Sequence, residues 1–210
     1  MSWRSSSTST CILERDALSN GISIPNALTW GRIVAIPLII VLFYLPYHWS
    51  DQAAGILFAL AGITDSLDGY LARKWGQTTR LGAFLDPVAD KLLVAAALVL
   101  IVSAAREPRW AVIVTTLAAI VIIGREIAIS ALREWMAEIG KRGKVAVSGV
   151  GKFKTIVQIV GLSMMLFRWN FLGLPIYECG LFLTVLAAIL TLWSAIQYLR
   201  AARPELVANS

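Results

Sequence analysis

Six long apolar stretches separated by short polar links set the pattern along the chain. Their approximate limits are 28–47, 52–73, 85–105, 110–135, 152–169 and 176–200. With its flanks, each is long enough to cross a bilayer as a helix. Pro37 falls inside the first and should kink it. Residues 22–27 read as a short interfacial lead-in, with Pro25 and Asn26 near a helix start. The tight links at 46–52, 105–109 and 169–175 favour neighbouring antiparallel helices. The expected fold is an all-α, polytopic bundle of six transmembrane helices.

Composition agrees with that reading. The chain has 210 residues and is 58% hydrophobic, against the 45–50% usual for a soluble domain, with a mean hydropathy of +0.71. The net charge of +6 brings nucleic acid to mind, but the basic residues are not interleaved as a groove-reading element needs. They sit in links between apolar runs, where anionic headgroups or phosphorylated substrates are the fitting partners. Cys11 and Cys179 have neither metal nor disulfide spacing. Residues 1–21 are Ser/Thr-rich and lack the apolar core of a secretory signal, so they read as a disordered leader or non-native extension. The membrane domain is expected over 22–203, with a short tail at 204–210.

Lys and Arg set the expected orientation. One set of ends and links carries Arg4, Arg15, Arg73, Lys74, Arg80, Lys141, Arg142, Lys144, Lys152, Lys154, Arg200 and Arg203; the opposite set carries only Arg106, Arg109 and Arg168. Both termini and the link between the second and third stretches should therefore face the cytoplasm. His48, between Tyr47 and Trp49, fits an aromatic belt in an outer link. Trp30, Trp75, Trp110, Trp135, Trp169 and Trp193 read as interfacial anchors or packing residues.

Four aspartates stand out against this background. Asp65 and Asp68 are three residues apart, and Asp86 and Asp90 four apart, so each pair shares a helix face. Asp65 lies 13 residues from Gln52 and Asp90 lies 15 from Ala105, about 20 and 22 Å at helical rise. Two separate helices thus bring carboxylates to one level. Ionisable groups at that depth are costly and mark function. Two divalent cations would cancel their charge, which points to a two-metal site acting on phosphate. Gly69 and Ala72, beside Asp68, leave room for a ligand or a neighbouring helix. Arg73, two turns beyond Asp65, can reach a phosphate beside the metals. Gly82, one turn before Asp86, has a similar spacing role.

Asp65, Asp68, Gly69, Ala72, Arg73, Gly82, Asp86 and Asp90 together form a pattern of eight fixed residues over 26 positions. That pattern resembles the signature of the CDP-alcohol phosphotransferase family, with every fixed position met. The likeness extends over roughly 22–203, through Pro25-Asn26, Thr29, Arg32, Gly124-Arg125-Glu126, Arg133-Glu134, Val145 to Ser148 and Gly151 to Thr155. It implies that Asp65, Asp68, Asp86 and Asp90 ligate two Mg²⁺ ions, Mn²⁺ being open, and that Asp90 is also the candidate general base. It places Asp65, Asp68, Gly69, Ala72, Arg73, Thr79 and Gly82 at the CDP-lipid. It further implies a homodimer in a bacterial cytoplasmic membrane, with the active site facing the cytoplasm. Within the family the likeness is to members that transfer a phosphatidyl group from CDP-diacylglycerol to sn-glycerol 3-phosphate, releasing CMP, in anionic phospholipid synthesis.

An acceptor with its own phosphate needs cations near the metals. Arg125, Arg133, Lys141, Arg142, Lys144, Lys152 and Lys154 can supply them, as can Arg32 with Asn26 beside it in the first helix. The expected acceptor-phosphate set is Asn26, Arg32, Arg125, Arg133, Lys141, Lys144 and Lys152. Arg125 interrupts an apolar helix and is either an anion ligand or half of an ion pair with Glu126 or an aspartate. The link lysines can also simply follow the positive-inside bias. Inositol phosphate is the alternative acceptor, while serine carries no phosphate to match so many cations. An intramembrane prenyltransferase normally has its aspartate pairs far apart in the chain. A cation transporter would leave Arg73 and the basic face of the fourth helix unexplained.

Overall fold

The computed structural model describes residues 24–75, 80–105, 108–140, 149–168 and 175–208, with backbone alone at 24–28, 65–75, 80–84, 149–152 and 205–208. The described residues form six helices: α1 (Ile24–Tyr44), α2 (Ser50–Trp75), α3 (Arg80–Ala104), α4 (Arg109–Glu138), α5 (Gly149–Phe167) and α6 (Ile176–Ala208). A chain this apolar has few other choices, because a backbone out of reach of water must satisfy its own hydrogen bonds.

Several helices run past the apolar stretches that foretold them, while α1 ends at Tyr44 and α5 at Phe167, short of the expected 47 and 169. α3 begins at Arg80, five residues before the expected 85, and α6 continues through Pro204 to Ala208. Loss of apolarity therefore marks where each stretch becomes polar, not where the helix ends. Residues 24–27, read as a separate lead-in, form the first turn of α1, and that helix continues through Pro37. By length and composition, three described segments can cross a bilayer: Leu85–Ala104, Arg109–Glu138 and Ile176–Pro204. Thr29–Tyr44 and Phe153–Phe167 are shorter apolar helices.

Packing among the described residues follows a closed circuit, α1–α2–α5–α6–α4–α3 and back to α1, with α3 also touching α5 across the bundle. The pairs joined by short links, α1 with α2, α3 with α4 and α5 with α6, are neighbours, as their links suggested. The core holds Phe58, Leu98, Ile122, Leu162, Met165 and Leu166. Outward faces are apolar too: Val34, Leu38, Ile56, Leu60, Leu117, Ile120 and Ile189 are exposed. Such a surface is a liability in water and ordinary against lipid tails. Trp30, Trp110 and Trp193 also lie on the outside, and Tyr47 and Trp49 stack 5.9 Å apart in the α1–α2 link.

Small residues draw the backbones together. A Cβ on Gly55 of α2 would come within 2.8 Å of the Phe167 backbone nitrogen on α5, and one on Gly180 of α6 within 2.8 Å of the Gly161 carbonyl. Without a hydrophobic drive between helices in lipid, this close approach supplies the packing energy. Arg168 ends α5 in the left-handed region, with φ 55°. It donates to the Ala104 carbonyl at the C-terminus of α3 and lies over the Phe43 ring, so one cation ties α5 to the ends of α3 and α1.

Candidate active site

Two helices build the acidic end of the site. Asp86 and Asp90 sit one turn apart on α3, and Thr29 and Arg32 sit one turn apart on α1. With α1 packed on α3, the two rows meet in register. The Thr29 hydroxyl donates to Oδ1 of Asp86, and Arg32 Nη1 donates to Oδ1 of Asp90 at 2.5 Å. Arg32 is only 3% exposed, and a buried guanidinium is tolerable only when paired. The Asp90 side chain keeps 41% exposure. Asp65 lies fifteen residues after the start of α2, and Asp90 fourteen before the end of α3. The helix bounds thus put the Asp65 and Asp90 backbones about 22 and 21 Å along their helices from those ends.

Asp86 and Asp90 offer hard oxygen donors, the chemistry that Mg²⁺ takes, and the Thr29 hydroxyl stands beside them. Among the described residues no three acidic, His or Cys side chains converge; the side chains of Asp65 and Asp68 lie outside the described residues. So do those of Asn26, Gly69, Ala72, Arg73, Gly82 and Lys152, although their backbones are helical. Thr79, Lys141 and Lys144 lie outside altogether.

From Asp90 a cavity of about 320 Å³ runs between α3, α4 and α5. Its wall includes Asp90, Ile122, Ile123, Glu126, Thr155 and Gln158. At Glu126 it meets a cluster of cations. Arg125 Nη1 and Lys154 Nζ both donate to Oε1 of Glu126, at 2.6 and 2.9 Å. Arg125 Nη2 donates to Ser194 Oγ at 3.1 Å. One turn further along α6, the Tyr198 hydroxyl accepts from Arg133 Nη2 at 2.7 Å. The Tyr198 ring lies 5.1 Å from the Arg133 guanidinium and 6.0 Å from that of Arg125.

The side chains of Arg125 and Lys154 are 8% and 7% exposed. Among the described residues, two such cations against one carboxylate leave a positive excess where water is scarce. Among the described residues, the Nε of Arg125 is buried with no hydrogen-bond partner, an orphan donor of the kind that normally finds an acceptor. Of the two alternatives for Arg125, the ion pair with Glu126 is present, and the positive excess leaves the anion-binding alternative open as well.

The structure thus gathers Asp86, Asp90 and Arg32 at one end and Arg125 with Lys154 at the other, with Arg133 beside them on α4. Arg32, expected among the phosphate-binding cations, reaches Asp90. Sequence reasoning missed the part Glu126 plays in gathering both cations, and it missed Gln158, Ser194 and Tyr198. A single Gln, Ser or Tyr in an apolar helix carries no periodic signal that tells a wall residue from an outward one.

Residues 22–195 match the CDP-alcohol phosphatidyltransferase family. Proteins named CDP-diacylglycerol–glycerol-3-phosphate 3-phosphatidyltransferase, from Salmonella choleraesuis and Escherichia coli, are 51% and 52% identical to this chain over 185 residues. Each alignment covers 88% of this chain and 97% of the relative. The crystal structure of Mycobacterium tuberculosis phosphatidylinositol phosphate synthase in its apo form has a similar fold. Its TM-score is 0.62 at 20% identity, over 91% of this chain and 94% of that one.

Proposed function

The chain belongs to the CDP-alcohol phosphatidyltransferase family, and from that membership we propose that it transfers the phosphatidyl group of CDP-diacylglycerol to sn-glycerol 3-phosphate. The products are phosphatidylglycerophosphate and CMP. The observation that carries the choice of acceptor is 51–52% identity, over almost their whole length, to relatives named for glycerol 3-phosphate. The structure adds a cavity lined by Asp90 and by Glu126, the carboxylate to which buried Arg125 and Lys154 are paired.

In this reading the free primary hydroxyl of glycerol 3-phosphate attacks the phosphorus that bears the diacylglycerol. A P–O bond forms to the acceptor, the P–O bond to CMP breaks, and Asp90 takes the hydroxyl proton. Arg32, paired with Asp90, orients that carboxylate toward the cavity, while Thr29 fixes the carboxylate of Asp86. Arg125 and Lys154 hold the acceptor phosphate, using donors that Glu126 does not saturate. Arg73, Gly69, Ala72, Thr79 and Gly82 are assigned to the CDP moiety through the family signature, and Asn26, Arg133, Lys141, Lys144 and Lys152 to the approach of the acceptor. When bound by Asp65, Asp68, Asp86 and Asp90, two Mg²⁺ ions would neutralise the diphosphate and the charge developing on CMP. The enzyme is taken to work as a homodimer in a bacterial cytoplasmic membrane. In that setting it has six spans, cytoplasmic termini and an active site open to the cytoplasm. The acyl tails then stay in the bilayer while both polar substrates meet at the carboxylates.

The test is CMP release by purified protein from CDP-diacylglycerol, with glycerol 3-phosphate, inositol 1-phosphate and serine offered in turn. Glycerol 3-phosphate should be the fastest acceptor. Faster release with inositol phosphate would overturn the assignment.

A further inference from the structure

We propose that Gln158 contacts the substrate, its side-chain amide reading the middle, non-reacting hydroxyl of the three-carbon acceptor. The inference rests on the reading of glycerol 3-phosphate as acceptor and deepens it. Gln158 lies on α5 one turn beyond Lys154, on the same face. It is 4% exposed and lines the cavity that Asp90 and Glu126 also line. A primary amide has two donors and two acceptor sites, and burying it without partners is costly. A Leu or Met at this place would pack the apolar wall of Ile122 and Ile123 at no such cost. An amide on this wall gives a polar guest of the cavity both a donor and an acceptor.

The size and chemistry of the cavity say what enters. About 320 Å³ is near the lower end of small-ligand pockets, ~300–1,000 Å³. That suits a small polyol phosphate and is far too little for a two-chain lipid. Its wall offers a carboxylate at Asp90, a neutral amide at Gln158 and a cation at Lys91; Glu126, to which Arg125 and Lys154 donate, also lines it. Glycerol 3-phosphate carries one group for each: a hydroxyl that must lose its proton, a hydroxyl that only needs a hydrogen bond, and a phosphate. A neutral amide can recognise a hydroxyl without competing for the anion. Specificity then comes from leaving a buried polar group unpaired when the wrong acceptor binds.

The experiment compares two acceptors, glycerol 3-phosphate and its deoxy analogue 1,3-propanediol monophosphate, at saturating CDP-diacylglycerol. The wild-type enzyme should prefer glycerol 3-phosphate in kcat/KM by roughly tenfold or more, the range of one buried hydrogen bond. Gln158→Leu should lower kcat/KM for glycerol 3-phosphate by roughly tenfold while leaving the deoxy acceptor and the KM for CDP-diacylglycerol nearly unchanged. Gln158→Met, closer in shape, gives the same readout should the leucine variant fold poorly. Equal losses on both acceptors, or no loss on either, as an acyl chain in the cavity would produce, overturn the proposal. CMP release without wild-type discrimination overturns this inference alone. No CMP release from glycerol 3-phosphate overturns the acceptor reading and this inference with it.

Discussion

At one end of the cavity, two carboxylates on a single helix are each held by a residue of α1, Asp86 by Thr29 and Asp90 by Arg32. At the other end, one carboxylate, Glu126, is shared by cations from two helices, Arg125 of α4 and Lys154 of α5. The first end is rich in acids and the second in cations. Buried charge normally settles near neutrality, because an uncompensated ion in low dielectric is expensive. Among the described residues, each end departs from neutrality in the direction that its proposed guest would correct: divalent metal ions at the aspartates, a phosphate at the arginine and lysine. The two imbalances are complementary, and one cavity is lined both by Asp90 and by Glu126.

The sharpest way to break the comparison is at the acidic end. Asp86→Asn keeps the side-chain volume, and its amide oxygen can still accept from Thr29, but the charge needed by a divalent ion is gone. Turnover should nearly vanish, while the protein extracts from the membrane as a folded species with an unchanged thermal transition. Asp90→Asn should cost roughly 10²–10⁴-fold in kcat if that residue takes the proton, with CDP-diacylglycerol affinity largely preserved. Substantial turnover by Asp86→Asn at limiting Mg²⁺ would remove the metal assignment. A collapse of lipid affinity in Asp90→Asn would make that residue a ligand first.

The two ends also differ in how far they could be read in advance. The spacing of Asp86 and Asp90 is local, and helical periodicity alone puts both on one face. Their partners are not local. Thr29 lies 57 residues from Asp86, and Arg32 lies 58 from Asp90. Pairing them requires knowing that α1 packs on α3 and in what register, which hydropathy does not encode. At the cationic end almost nothing is local. Lys154 is 28 residues from Glu126, Ser194 is 69 from Arg125 and Tyr198 is 65 from Arg133. The helices were legible for the opposite reason: each is a continuous apolar run whose backbone has nowhere else to satisfy itself. Their ends were less so, as Pro204 inside α6 shows.

A smaller and more selective effect is expected at the cationic end. Arg125→Lys keeps one positive charge but loses the planar fork that serves Glu126 and Ser194 together. KM for glycerol 3-phosphate should rise by roughly tenfold, the value of one charge-assisted contact, with KM for CDP-diacylglycerol unchanged. Steady-state kinetics with each substrate varied in turn separates this from a structural role, which would damage both constants or the fold. An effect confined to the CDP-lipid would remove Arg125 from the acceptor pocket and leave only its ion pair with Glu126.

The mildest change tests whether Arg133 belongs with Arg125 or merely stands beside it. Tyr198 contacts both, through its hydroxyl to Arg133 and through its ring to the two guanidinium groups. Tyr198→Phe removes the hydroxyl and keeps the ring, so the cation–π contacts, worth ~0.5–1 kcal/mol near water, persist. The lost hydrogen bond is to a charged donor, nominally about 1.5–3 kcal/mol. Arg133 is exposed, however, and water can replace the phenol. The net loss of stability should therefore be about 1 kcal/mol or less, read as a small downward shift in thermal unfolding. KM for glycerol 3-phosphate should move by less than roughly threefold, since the phosphate is held by Arg125 and Lys154 and not by the residue that Tyr198 steadies. If instead Tyr198→Phe raises that KM as much as Arg125→Lys does, Arg133 is part of the pocket. The cationic end then extends a further two turns along α4.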